Sequence, residues 1–228
     1  MHYVLDFADL RQYLMLFVRG AALTIALTAV STLVGVVVGA LCAVAREEGP
    51  MWLKAITGLY VELIRNTPFI VQLFFIFFGL PSLGIHIDEI TAAVLAMSVN
   101  LGAYATEIIR AGMRAVPQGL SEAGMSLAMT RAQILRHVIL PQAFAKVFPA
   151  LASQIVIVML GSAVVSQISV PDLSYAANFV QSRTFRAFES YLIVTAVYLV
   201  LAIALRRVLM RCARRLFRGT VKVRGGAR

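Results

Sequence analysis

The sequence predicts an all-α integral membrane protein with five transmembrane helices, its N-terminus outside and its C-terminus in the cytoplasm. Three observations lead there. Of 228 residues, 60% are hydrophobic and 14% charged, which is more apolar surface than a soluble domain of that length can hide. Five stretches carry no Asp, Glu, Lys or Arg: Ala21–Ala45, Asn66–Ile87, Ile90–Thr106, Val147–Pro171 and Ser190–Leu205. Seventeen of the 21 Lys and Arg fall in the 46–65 and 107–146 connections and the tail after 205, the bias that holds a flank in the cytoplasm. Closed barrels need alternating segments of about ten residues, and these runs are continuous. Disordered, collagen-like and disulfide-framework chains are excluded by the high apolar content, the aperiodic glycines and the presence of only two cysteines.

Each element follows in order, within one domain over 1–228 that has no internal repeat. The first span is expected over about 14–45. Its leading segment holds Asp6 and Asp9 where a signal peptide has cations, so the small-residue triplet Ala43-Val44-Ala45 is not a cleavage site. The second span, about 59–81, stops at Pro81-Ser82-Leu83-Gly84, and the fourth, about 146–170, at Pro171-Asp172. The third (about 90–115) and fifth (about 189–209) extend past their charge-free runs, because Glu107 and Arg206 stand at helix ends from which long side chains reach headgroups.

The connection between the third and fourth spans, about 116–141, is too long for a structureless turn. The third helix should leave the membrane, run to about Ala115 and break at Pro117–Gly119. A second helix is then expected from Ser121 as N-cap, with Glu122 in its first turn and Ala123, Leu127, Ile134 and Leu135 near helical spacing. Such an amphipathic helix either rests on lipid or docks a soluble partner.

Glu122-Ala123-Gly124, Ala128, and Val138-Ile139-Leu140-Pro141 resemble, at matching spacing, the EAA loop of ABC importer permeases. Gly124 replaces an alanine, Ala128 a glycine and Val138 an isoleucine. The run from Glu62 through Arg65, Thr67-Pro68 and Gln72 to Gly79-Leu80-Pro81 resembles the second-span signature of the polar amino acid permeases of that family. So do Ala103-Tyr104 with Glu107, Arg110 and Gly112, and Leu140-Pro141-Gln142-Ala143. One stretch departs: Leu160-Gly161-Ser162-Ala163 stands where the family carries Lys-Asp-(Thr/Ser)-Ser, so charge is lost at a depth where polar side chains are usually functional.

The resemblance implies a membrane-spanning importer subunit in the bacterial inner membrane, forming the path for an amino acid, polar or charged. It implies two ABC ATPase subunits gripping the EAA helix, with Glu122, Ala123, Gly124, Ala128 and Arg131 as the coupling residues. A second permease chain, identical or a paralogue, and an extracytoplasmic amino-acid-binding protein complete the assembly. The chain has no P-loop, since Lys54, Lys146 and Lys222 follow Leu, Ala and Val instead of Gly. ATP and its Mg therefore belong to the partner ATPases; this chain is expected to bind no cofactor and to be no enzyme.

Path candidates are the polar groups inside the apolar runs: Gln72, Ser98, Asn100, Tyr104, Ser153, Gln154, Ser162, Ser166 and Gln167, with Asn100 and Ser162 preferred. Their competing role is helix–helix hydrogen bonding. Arg65 and Glu107 are read as interfacial anchors or an inner gate. His2, His86 and His137 lack metal-ligand spacing. Cys42 and Cys212 both fall on the reducing side, which predicts free thiols. The Arg-rich tail from Arg206 is expected on anionic lipid, not on nucleic acid. A stand-alone secondary transporter or channel is the alternative; it predicts a broken-helix repeat or intramembrane acidic groups. An intramembrane enzyme would need a His/Asp/Glu constellation in the span cores, where no acidic residue or histidine lies.

Overall fold

The computed structural model describes residues 5–7 and 9–217; His2, Lys222 and the tail beyond Phe217 lie outside that range. A 3-10 turn (Asp9–Tyr13) leads into α1 (Leu14–Glu48), followed by α2 (Met51–Arg65), α3 (Phe69–Ser82), α4 (Glu89–Arg114) and α5 (Gln118–Ser126). α6 (Arg131–Ile134) passes through a π turn (Leu135–Ile139) into α7 (Leu140–Gly161), and a 3-10 turn (Ser162–Ile168) precedes α8 (Leu173–Thr184) and α9 (Ala187–Leu216). The fold is all-helical, with no strand among the described residues. Four helical stretches are long and apolar enough to cross a membrane: 9–48, 89–114, 131–168 and 187–216.

α4 forms the centre. Ala92, Ala93, Ala96, Met97, Leu101, Ala105 and Ile109 are all fully buried on it. α1 lies against it at backbone distance, for a Cβ on Gly39 would come within 2.5 Å of the Ala105 Cβ and one on Gly35 within 2.9 Å of that of Leu101. Small residues at such crossings let helices gain close contact where water gives no drive to associate. The outer faces carry bare apolar side chains, Leu33, Leu41 and Phe75 among them.

Over the expected second span, 59–81, the structure has two helices instead of one straight one. α2 ends at Arg65, α3 begins at Phe69, and their axes differ by 109°. Pro68 is the cause: it has no N–H to continue the ladder and it keeps Thr67 out of the helical region. Side chains satisfy the carbonyls this frees. Thr67 Oγ1 donates to Leu63 O at 2.8 Å and Gln72 Nε2 to Ile64 O at 2.7 Å, while Asn66 Nδ2 adds a second bond, at 2.8 Å, to the Glu62 O that Asn66 N already reaches at 3.1 Å. A broken helix survives among apolar neighbours only with such replacements.

Two further differences concern the connections. α8, unforeseen in the sequence, is capped by Asp172, which accepts from Tyr175 N at 2.8 Å and from Tyr198 Oη at 3.2 Å. Burial pushes the Asp172 carboxyl up to about 6. The single helix expected from Ser121 is two helices. α5 starts three residues earlier, with Pro117 at its N-cap, and Ser121 Oγ donates back to Gln118 O at 2.7 Å. The chain then reverses at Ala128, whose φ is +56°, and Thr130 and Gln133 cap α6 reciprocally. The π turn directly precedes Pro141, whose missing N–H leaves a normal turn unsatisfied.

Candidate functional site

The break between α2 and α3 opens onto a cavity of about 450 Å³ walled by α4 and α7. Thr67 lines it from the break, Asn100 and Tyr104 from α4, and Gln154 and Gly161 from α7. Asn100 and Tyr104 share a face because they are four residues apart on a helix. Asn100 Nδ2 donates to Gln72 Oε1 at 2.9 Å. Gln72 itself is fully engaged: its amide nitrogen also serves Ile64 O and, at 3.0 Å, Thr67 O. It therefore braces the wall and holds Asn100 in place instead of offering a free polar group.

Tyr104 separates this cavity from a charged cleft of about 420 Å³ lined by Arg46, Glu62, Arg65, Glu107 and Arg110. The Arg65 guanidinium stands 5.4 Å above the Tyr104 ring, within cation–π range. The Glu107 carboxylate is shared by Arg46 and, at 2.8 Å, Arg110. Three guanidiniums thus surround one carboxylate in a partly buried cluster joining α1, α2 and α4. Glu107 is no lipid-facing anchor.

Of the predicted path residues, the cavity gathers Asn100, Tyr104 and Gln154, with Gln72 directly behind. Ser162, preferred in the sequence, is not among its walls: the chain tightens into a 3-10 turn there, and Ser162 is fully buried, donating to Met159 O at 2.7 Å. Ser166 likewise donates to its own turn, at Ala163 O (2.8 Å), and Ser153 to Pro149 O at 3.1 Å. Ser98 Oγ is buried without a hydrogen-bond partner among the described residues, and Gln167 is exposed. Sequence reasoning missed Thr67, whose signal was its place before Pro68, and the Arg46–Glu107–Arg110 cluster, whose only local signal was the three-residue spacing of Glu107 and Arg110.

The coupling candidates form a second, separate site. Glu122, Ala123, Ala128 and Arg131 are exposed, together with Met125 and Leu127, so α5 and the turn after it present an open face. Gly124 alone is buried, because α5 rests on Ile134 there; a Cβ at this position would come within 2.9 Å of Ile134 Cγ1. Glycine in place of the family's alanine allows that contact.

The chain's residues 35–218 match the family described as binding-protein-dependent transport system inner membrane component. The chain belongs to that family. The arginine transport system permease protein of Bacillus subtilis is 33% identical over 205 residues, 88% of this chain and 92% of the relative. The glutamine transport system permease protein of Escherichia coli is 33% identical over 203 residues, covering 88% and 93%. The L-cystine transport system permease protein of Bacillus subtilis is 36% identical over 204 residues, covering 89% and 87%. Among solved structures, an amino acid ABC transporter with histidines superposes with a TM-score of 0.84 at 38% identity, over 93% of this chain and 100% of that one. The methionine ABC transporter MetNI, in an inward-facing conformation, gives 0.69 at 25% identity over 91% and 97%.

The permease is therefore a bacterial inner-membrane subunit of an ABC importer, and ATP is hydrolysed on separate ATPase chains. A stand-alone secondary transporter predicts a repeated broken helix, and one bent pair, α2–α3, occurs among the described residues.

Proposed function

We propose that the permease carries an amino acid through the cavity between Thr67, Asn100, Tyr104 and Gln154. The observation that carries this reading is the cavity's chemistry: carboxamides and hydroxyls beside a guanidinium cluster, at a helix break. An amino acid's carboxylate and ammonium need opposed partners when water is stripped away, and this lining supplies both donors and acceptors. The relatives named for arginine, glutamine and cystine support the class. The N-terminus lies outside and the C-terminus in the cytoplasm, in keeping with the Lys/Arg distribution. The chain is one domain whose α2–α3 pair makes up the second of five spans, and the Arg46–Glu107–Arg110 cluster closes the inner end of the path.

The exposed face of α5 and the turn after it, with Glu122 and Arg131, docks one of two ATPase subunits. A second permease chain completes the path about a twofold axis, and a binding protein delivers substrate outside. The groove between α7 and α9, lined by Lys146, Arg211, Arg214 and Arg215 over Phe148, seats anionic lipid headgroups. ATP biases an element with two packings, and the cavity opens alternately to either side.

Uptake by the reconstituted importer tests both halves. Asn100→Ala should raise the apparent KM by about tenfold or more, as expected for a lost buried polar contact. Glu122→Arg should insert normally, lose co-purifying ATPase and stop transport, because it reverses a charge at the interface. Unchanged affinity in the first would refute the path, and full transport by the second the docking role.

A further inference from the structure

We infer that the cavity selects amino acids with uncharged side chains and rejects cationic ones, an inference that rests on the cavity being the substrate's path. Its polar walls are the Asn100 and Gln154 carboxamides and the Thr67 and Tyr104 hydroxyls; no carboxylate lines it among the described residues. A lysine or arginine side chain held against these walls would give up part of its hydration without gaining a counter-ion from them, and a charge without a partner is disfavoured.

The neighbouring cleft does not help it. Glu107 is already shared by Arg46 and Arg110, and Arg65 stands over the Tyr104 ring without a salt bridge of its own among the described residues. The field entering the cavity through Tyr104 is thus positive, which suits the carboxylate every amino acid carries. At the other end, Asn100 spends Nδ2 on Gln72, so its carbonyl oxygen is the atom left to accept from an ammonium group. Gln154 makes no side-chain hydrogen bond among the described residues and can donate or accept. Both charges of a zwitterion find partners, and the remaining lining answers a side chain that hydrogen-bonds without charge. A second carboxylate would have to share Arg65.

Gly161 provides the test. It lines the cavity in a right-handed helical conformation, and a Cβ there would touch nothing within 4 Å. An aspartate can therefore be placed on the wall without moving the backbone. The experiment uses the importer complex purified without its binding protein, with radiolabelled L-glutamine as probe and unlabelled L-glutamine, L-arginine and L-glutamate as competitors. Wild type should be displaced by glutamine at about tenfold or more lower concentration than by either charged amino acid, a ratio set by the missing counter-charge. Asn100→Ala and Gln154→Ala should lose binding, Gly161→Asp should shift the preference toward arginine by about tenfold, and Gly161→Ala should not. Arginine competing equally with glutamine in wild type, with binding still lost in Asn100→Ala, would overturn the selectivity and leave the path standing. Binding indifferent to Asn100→Ala and Gln154→Ala, or absent for all three amino acids, would overturn the path itself.

Discussion

The helix break at 66–68 and the chain reversal at 127–129 do the same thing to the backbone by different means. Both stop one helix and start another within four residues. At 66–68 Pro68 withholds a backbone donor, and two side chains, Thr67 and the buried Gln72, cover the carbonyls of Leu63 and Ile64. At 127–129 the backbone closes its own turn, Ala128 N donating to Met125 O at 2.9 Å and Met129 N to Gly124 O at 3.1 Å. The difference is the backbone donor that Pro68 removes. Where a proline takes that donor away, side chains must replace it, and one of them, Thr67, also lines the cavity. Where the backbone supplies its own donors, the turn leaves a face open for contact with another molecule.

The largest effect that would break this comparison is at Gln72. Gln72→Leu removes the donor to Ile64 O and Thr67 O and leaves the Asn100 amide without its acceptor. The protein in detergent should lose about 2–4 kcal/mol, the cost of buried polar groups left unsatisfied. Ser126→Ala removes a hydrogen bond of the same kind, Ser126 Oγ to Glu122 O at 3.0 Å, but in the exposed loop, where substitutions stay within about 0.5 kcal/mol. Equal losses of thermal stability in the two variants would mean that burial does not distinguish the breaks.

A third helix start sharpens it. Asp172 caps α8 while fully buried, so its cap is made by a group that would be charged if wet. Its carboxyl is pushed up to about 6, above an unfolded value near 4. Between those values the native state holds the proton and the unfolded chain does not, so this group's contribution to stability falls as pH rises through that window. Two units correspond to about 3 kcal/mol at most. Asp172→Asn keeps a cap oxygen and should flatten the decline; an unaltered pH profile would show that Asp172 is not its source.

Much of this was legible because lipid imposes a simple rule. Apolar runs of about 20 residues had to be helices, and α4 ends at Arg114, one residue before the expected boundary. The rule is blind to Pro68, which sits inside a charge-free run, and to α8, whose Ser174, Asn178 and Gln181 give it no apolar signature. For the site, polar residues interrupting apolar runs pointed to Asn100, Tyr104 and Gln154, which line the cavity proposed as the path. The same signal pointed to Ser162, which lies outside that cavity's walls, because hydropathy does not show that the helix tightens after Gly161 and that the hydroxyl bonds to Met159 O. Gly161 has no polar atom to notice; only its place on the wall makes it informative.

A smaller effect than those at Gln72 and Asp172 lies at Ala128. The family pattern has glycine there, and exchanging one small residue for another looks neutral until the backbone is known. At φ +56° an alanine Cβ crowds its own carbonyl, a strain of about 1–2 kcal/mol that glycine does not feel. Glycine also gives the unfolded chain more freedom, which takes back about 0.4–1 kcal/mol. Ala128→Gly should therefore stabilise the protein by about 0.5–1 kcal/mol. The side chain is exposed, so no packing is lost with its methyl. Thermal unfolding in detergent checks the sign, and a lower midpoint would mean that the reversal is held open by something other than Ala128's own backbone. Transport should be unchanged if the face is defined by Glu122 and its exposed neighbours, and reduced if the strained turn itself is what the ATPase grips.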